Sequence, residues 1–129
     1  MTGRLAIPLA ALALAGCSHA LAPSDDAGRW ARLDRAVDMG LVTVKPLQVV
    51  EDSRCPQNVT CIWAGTVRVR TEIEPPIGGH VRTLTLGEPQ QIAGGTLLLE
   101  EVRPHTTAGE AIDPADYRFF IRYTMPKRH

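Results

Sequence analysis

Two segments of this chain alternate between apolar and polar side chains, and this alternation restricts the possible folds more than any other feature. In residues 67–74, valine, threonine and isoleucine occupy the odd positions, and arginine or glutamate the even positions. In residues 117–124, tyrosine, phenylalanine and isoleucine occupy the odd positions, whereas most even positions are polar. A period of two is typical of a β-strand with one buried face and one solvated face. The sequence therefore predicts two half-buried strands.

Further strands are predicted between turn signals. Apolar, β-rich runs of strand length occupy residues 41–50, 81–86 and 97–102. Turn signals separate the runs at residues 75–79, 87–89 and 94–95. Two of these turns contain Gly-Gly pairs, which permit the positive φ angles of tight hairpins. Pro46 cannot donate a ladder hydrogen bond, so it predicts an edge strand or a β-bulge in the first run.

Five or more short strands joined mostly by short polar turns predict an all-β domain, either an antiparallel β-sandwich or a small barrel. Among sandwiches we favour an immunoglobulin-like one, although its two local cysteines are unlike the inter-sheet pair of antibody domains. A single domain is expected over residues 30–129. The apolar spacing in residues 30–39 fits either a short helix or a first strand, and residues 104–116 are predicted to form a long loop.

Charge and motifs limit the functions of this chain. It has 14 basic and 14 acidic residues, so no basic face is predicted and we do not expect nucleic acid as a partner. The sequence has no Gly-x-Ser-x-Gly elbow, phosphate-binding glycine loop or His-Glu-x-x-His motif. A candidate acid–base cluster is His105 with Glu110 and Asp113, but solvated loop residues are mostly inert. We therefore predict no catalytic residues, no metal ligands and no cofactor.

The N-terminus has the pattern of a secretory signal. Arg4 precedes a largely apolar stretch, residues 5–15, which is shorter than the roughly 20 residues that a membrane-spanning helix needs. The stretch ends in Leu14-Ala15-Gly16-Cys17, which resembles the lipobox of bacterial lipoproteins. The alternative is an ordinary signal peptide that is cut after Ala20-Leu21-Ala22 and discards Cys17.

The lipoprotein resemblance implies an anchor and a location. In that family, diacylglycerol is joined to the lipobox cysteine through a thioether and the chain is cleaved before it. Residues 1–16 are then expected to be removed as a signal peptide, and residues 17–29 to form the lipidated N-terminus and a flexible tether. Ser18 after Cys17 resembles the outer-membrane class of lipoproteins, which implies a protein held at the outer membrane and facing the periplasm.

Cys55 and Cys61 are the two cysteines that remain once Cys17 is lipidated. A remaining pair in an exported, oxidising compartment predicts a disulfide. Their spacing and the intervening Pro56 differ from the Cys-x-x-Cys pattern of redox sites. The histidines are scattered rather than spaced as metal ligands. A structural disulfide is the prediction, with redox or metal roles as the alternatives.

Residues 52–65 resemble a signature of small bacterial lipoproteins and secreted proteins, namely Asp-Ser-Arg-Cys-Pro, then Val, Cys and Trp-Ala-Gly. The resemblance implies no activity. Trp63 is expected to pack in the core over the disulfide, with ligand stacking as the alternative. Asp52 and Arg54 are expected to form an exposed ion pair at a surface turn or, alternatively, part of a recognition loop. Gly65 is expected to permit a bend or the close approach of another backbone segment.

Together these patterns predict a lipid-anchored, non-catalytic cell-envelope protein. Its expected role is that of a binding or structural module. It would present the disulfide loop or residues 104–116 to an unidentified envelope protein or polymer. The alternative is a periplasmic inhibitor or a small enzyme that acts on envelope polymers.

Overall fold

A computed structural model describes residues 28–74 and 80–126, together with the isolated positions 3, 10 and 16. Cys17 and nearly all of the expected signal peptide and tether lie outside the described residues. The strands are β1 (Arg29–Ala31), β2 (Val37–Asp38), β3 (Thr43–Asp52), β4 (Val67–Glu74), β5 (His80–Thr85), β6 (Gln90–Ile92), β7 (Gly95–Arg103) and β8 (Arg118–Thr124). They form two four-stranded antiparallel sheets, which confirms the predicted all-β sandwich.

The strand order is that of two meanders. The first sheet has the order β1-β8-β7-β6, and the second sheet has the order β2-β3-β4-β5. Apart from the β1–β8 pair, neighbours in each sheet are consecutive along the chain. An immunoglobulin-like sandwich instead needs long connections that place non-consecutive strands side by side. Short connections such as Ala93-Gly94, between β6 and β7, join neighbours here, so the immunoglobulin-like connectivity is not observed.

The core lies between the two sheets and is built from their inward faces. Every odd position of β4 is at most 1% exposed, whereas the two arginines between them are exposed. The odd positions of β8 follow the same rule, with Phe119 and Ile121 almost completely buried. Side chains of both sheets join in one buried apolar cluster. The alternation in the sequence therefore identified the core faces of both strands correctly.

Pro46 lies at a β-bulge, one of the two outcomes predicted for it. It pairs with Thr71, but the next paired residue of β3 is Gln48, so the register shifts between them. β2 pairs only with the first two residues of β3, and thus does not require an N–H from Pro46. The carbonyl of Pro46 still accepts a hydrogen bond from the N–H of Asp34 at 2.7 Å.

Residues 30–39 contribute strands rather than a helix. β1 pairs with β8, and β2 pairs with β3, because the two sheets offer free backbone partners at these edges. Trp30 points outward and Ala31 is buried in the core, as expected for a strand. β1 begins at Arg29, the last residue of the expected tether. Within residues 28–74 and 80–126, no helix has the length and apolar character needed to cross a membrane.

Candidate functional site

The predicted disulfide is present in the loop that connects β3 to β4. Cys55 and Cys61 are bonded, with their Cα atoms 5.8 Å apart and a sequence separation of 6. The closed ring restricts the middle of this connection, which runs over residues 53–66. We call residues 53–66 the disulfide loop. Because its ring is covalently closed, the loop loses little conformational entropy when it binds a partner.

The disulfide loop is fastened to the sandwich by a polar network. Arg54 donates two hydrogen bonds to the carboxylate of Asp52, from Nε and Nη2, each 2.8 Å long. Its Nη1 donates to the carbonyl of Val102 at 2.9 Å, and the hydroxyl of Tyr117 donates to Asp52 at 2.8 Å. The network thus joins the end of β3, in the second sheet, to β7 and to the start of β8, in the first sheet.

The local ion pair expected between Asp52 and Arg54 is present, but the expectation that it is exposed at a surface turn was wrong. Their side chains are only 11% and 13% exposed, respectively, because residues from the opposite sheet cover them. Arg54 also donates to the backbone carbonyl of Val102 near the end of β7. A forked contact of this kind is stronger and more directional than a surface pair. The pair therefore has a structural role in holding the loop.

The network shifts the pKa values of both acidic partners. Burial opposes ionisation of Asp52, but hydrogen bonds from Arg54 and Tyr117, together with the charge of Arg54, outweigh it and lower the pKa of this carboxyl. For Tyr117, burial, the hydrogen bond to Asp52 and the charge of Asp52 raise the pKa to about 12. Asp52 is therefore a carboxylate and Tyr117 a neutral hydrogen-bond donor at neutral pH.

The two loops that the sequence offered as separate candidates form one surface. The disulfide loop meets residues 104–117 through several hydrogen bonds. These are Gln57 N to Thr106 O (2.9 Å), Gln57 Nε2 to Thr107 Oγ1 (3.0 Å), Ala108 N to Asn58 Oδ1 (2.9 Å) and Thr106 Oγ1 to Arg54 O (3.3 Å). We call the two segments together the paired loops. Each loop supplies partners for the other's backbone, so the pair forms one ordered surface.

Gly65 confirms the expectation of a close backbone approach. A Cβ atom at this position would overlap the carbonyl of Ser53. The same two ends of the loop are joined by the N–H of Ser53, which donates to the carbonyl of Thr66 at 2.8 Å. The hydroxyl of Ser53 accepts in turn from the N–H of Thr66 at 3.0 Å. Glycine is thus required where the loop closes on itself.

Trp63 lies on the outside of the disulfide loop, so the expectation that it packs in the core was wrong. Its side chain is 82% exposed, and the neighbouring Ile62 is 93% exposed. Val59, on the same loop, is 46% exposed. The side chains through which the loop is fastened to the sandwich are instead the polar Asp52 and Arg54. The outcome is an apolar tip formed by Val59, Ile62 and Trp63.

A cleft of about 650 Å³ lies beside the network, between the bulged strand β3 and the end of the long loop. Its apolar wall includes Leu33, Val49 and Ile112, whereas Asp34 and Glu51 supply carboxylates. The ring of Tyr117 also lines it. The sequence did not predict this cleft, because the register shift between Val49 and Glu51 is not visible in the residue pattern.

The candidate acid–base cluster is exposed at all three positions, His105, Glu110 and Asp113. Asp113 already serves as a cap, since its Oδ1 accepts from the N–H of Ala115 at 2.8 Å at the start of a three-residue 3-10 turn. Over the described parts of the chain, no group of three or more His, Cys, Asp and Glu side chains is arranged to hold a metal ion.

Comparisons of this chain with protein-family models, with curated proteins and with solved structures find no match.

Proposed function

We propose that this protein is a lipid-anchored binding module of the bacterial cell envelope, and that the paired loops bind an envelope protein or polymer. It is proposed to act without catalysis, at the outer membrane and facing the periplasm. The observation that carries the binding role is the apolar tip, with Ile62 and Trp63 strongly exposed directly after the ring that the Cys55–Cys61 disulfide closes. Large apolar side chains exposed side by side on an ordered loop are typical of interaction sites.

The energetics of the tip favour binding. Burying an indole removes roughly 150–250 Å² from water, worth about 4 to 6 kcal/mol before the costs of association. The disulfide and the hydrogen bonds between the paired loops reduce the ordering cost. A partner that covers Trp63 and Ile62 gains this energy, and the rest of the interface must offset the loss of translational and rotational freedom on association.

Support for the anchor comes from the sequence of the first residues. Leu14-Ala15-Gly16-Cys17 follows a short apolar stretch, and two or three acyl chains on one cysteine give effectively permanent membrane attachment. The 11 residues between Cys17 and the start of β1 span at most about 40 Å when extended. The domain therefore acts close to the membrane surface.

The binding role is tested by photo-crosslinking in the producing cells. A benzoylphenylalanine placed at Ile62 is expected to give a discrete adduct with a protein or a glycan, and Trp63→Ala should remove most of that adduct. The control probe is placed at Val81, which is 45% exposed on the edge strand β5, and should give no such adduct. Equal labelling at both positions, or adducts with lipid alone, would overturn the role. An adduct with an envelope enzyme would identify the module as an inhibitor.

The anchor is tested by the intact mass of the protein extracted from membranes. The expected chain begins at Cys17, carries added acyl mass and lacks two protons because of the Cys55–Cys61 disulfide. Cys17→Ser should move the protein from the membrane fraction to the soluble fraction. A mature chain that begins after Ala22 without lipid contradicts the anchor and leaves the binding role of the paired loops intact.

A further inference from the structure

The outer face of the first sheet carries two adjacent aromatic rings with arginines over them. Trp30 of β1 and Phe120 of β8 have ring centroids 5.1 Å apart. The guanidinium of Arg103 lies 5.0 Å from the centre of the Trp30 ring, and that of Arg122 lies 5.7 Å from the centre of Phe120. Trp30 is nevertheless 43% exposed. An exposed aromatic surface edged by arginines favours contact with anionic groups at an apolar boundary.

Three arginines surround Trp30 and give this surface a positive charge. Arg32, Arg103 and Arg118 line one shallow cleft with Trp30, of about 420 Å³. Arg103 is neutralised by Glu101 at 2.6 Å, but Arg118 donates only to the neutral carbonyls of Ala115 and Tyr117. Neither Arg118 nor Arg32 has a carboxylate partner within residues 28–74 and 80–126. We call Trp30, Arg32, Arg103 and Arg118 the Trp30 face.

The chain enters the domain on this same side. Gly28 immediately precedes β1, and a Cβ atom at this position would overlap the ring of Phe120. The backbone therefore runs directly over Phe120 before it reaches Trp30. If Cys17 carries the lipid, the connection from Cys17 to Gly28 keeps the Trp30 face within about 40 Å of the bilayer. Such a tether raises the effective concentration of headgroups at this face.

We propose that the Trp30 face docks on phosphate-bearing headgroups of anionic lipids in the leaflet that holds the anchor. This proposal rests on the proposed lipid anchor. Guanidinium groups bind phosphate oxygens through paired hydrogen bonds, and tryptophan is enriched at membrane interfaces, where one side of its ring is apolar and the other is hydrated. Docking holds the domain in one orientation against the membrane, with the second sheet on the side away from the lipid.

The test uses the mature lipidated protein in vesicles and follows the fluorescence of Trp30. Trp63→Phe leaves Trp30 as the sole tryptophan, since the chain has 2 tryptophans in total. In vesicles that contain phosphatidylglycerol, Trp30 should be shielded from iodide and quenched by brominated lipid. In pure phosphatidylcholine vesicles it should stay accessible to iodide. Shielding should also decrease when salt is added, because the attraction is electrostatic.

Charge variants identify which arginines are responsible for docking on anionic vesicles. Arg32→Gln together with Arg118→Gln should lower the ratio of docked to undocked domains by about 25-fold, since each arginine contributes about fivefold at an anionic surface. Arg32→Gln alone, at an exposed position whose side chain has no hydrogen bond within residues 28–74 and 80–126, should lower the ratio by about fivefold. The matched control is Arg70→Gln with Arg82→Gln, two exposed arginines of the second sheet, which should leave the docking unchanged.

Each remaining outcome has one meaning. Equal iodide access in both types of vesicle, or an equal loss in the control variant, overturns the docking proposal. Release of the face by inorganic phosphate at constant ionic strength would show a free-phosphate site and would also overturn it. Failure of the lipid anchor is recognised separately, because the protein would then not float with vesicles of either composition.

Discussion

The hydrogen bond from Tyr117 to Asp52 offers the most direct test of how the disulfide loop is held. Tyr117→Phe removes one hydroxyl but keeps the ring, which is stacked on Phe119 at 5.7 Å between centroids. Asp52 retains both hydrogen bonds from Arg54, so the variant leaves no buried charge without a partner. A hydrogen bond to a charged group contributes about 1.5 to 3 kcal/mol. We therefore expect a loss of about 2 kcal/mol in the free energy of unfolding at pH 7.

The same bond predicts how this loss depends on pH. The pKa of Tyr117 is raised from 10.0 in the unfolded chain to about 12 in the folded protein. A raised pKa gives a stabilisation that is complete below pH 10 and disappears as the pH rises to about 12. At 1.36 kcal/mol per pKa unit, the shift corresponds to about 2 to 3 kcal/mol, and burial is its largest cause, followed by the hydrogen bond to Asp52. The difference between wild type and Tyr117→Phe should thus approach zero near pH 12.

The acidic side of the profile follows from Asp52. Its pKa is lowered in the folded protein, so the stabilisation from its ionised form is complete above the unfolded value of 3.8. It is lost as the pH falls below that value and through the folded pKa. The advantage of wild type over Tyr117→Phe should therefore be largest between about pH 4 and pH 10.

Urea unfolding followed by far-UV circular dichroism, repeated from pH 2 to pH 12, measures this profile. The control is Tyr123→Phe, because the hydroxyl of Tyr123 donates to the carbonyl of Ile92 at 2.9 Å and not to a charged group. In a double-mutant cycle, Asp52→Asn should couple to Tyr117→Phe by about 1 to 2 kcal/mol and to Tyr123→Phe by almost nothing. The proposed role of the Tyr117–Asp52 hydrogen bond is refuted if wild type and Tyr117→Phe differ by less than about 0.5 kcal/mol in the free energy of unfolding at pH 7. It is also refuted if their difference is the same at pH 12 as at pH 7.

Three further changes probe the loop in the same unfolding assay. Gly65→Ala should destabilise the protein by about 2 to 3 kcal/mol, because the Cβ atom of alanine would overlap the backbone of Ser53. A change in the free energy of unfolding that is within experimental error would contradict the close approach. Replacing Cys55 and Cys61 by alanine should lower the free energy of unfolding by about 2 kcal/mol, because the disulfide no longer restricts the unfolded chain. Unchanged stability would mean that the hydrogen bonds alone hold the loop. Arg54→Lys should cost about 2 kcal/mol through loss of its forked contact, whereas Arg68→Lys, in an exposed pair, should cost less than about 0.5 kcal/mol.

Local patterns in the sequence predicted most of the strands. β4 has the bounds that the alternation gave, and β3, β5, β7 and β8 differ from the predicted segments by one or two residues at their ends. β6 was missed, since Gln90–Ile92 is too short to show a period of two. It exists because the Ala93-Gly94 turn, with both φ angles positive, folds it onto β7.

The candidate site was predicted only in part. The cysteine pair and the close approach at Gly65 follow from residue type and spacing, and both are observed. The position of Trp63 was predicted wrongly, because a large apolar ring is buried more often than it is exposed. No local pattern shows that the salt bridge beside this loop is largely buried while Trp63 is exposed.

The sequence by itself determined which residues of β4 and β8 face the core, where most strands begin and end, and that Cys55 pairs with Cys61. These properties depend on neighbours along the chain, through the period of two and the short disulfide ring. Tertiary structure alone decided that Tyr117 binds Asp52, from which it is separated by 65 positions, and that the two loops form one surface. Such contacts depend on how two sheets stack at one end of the sandwich, and that arrangement has no counterpart in the spacing of residues.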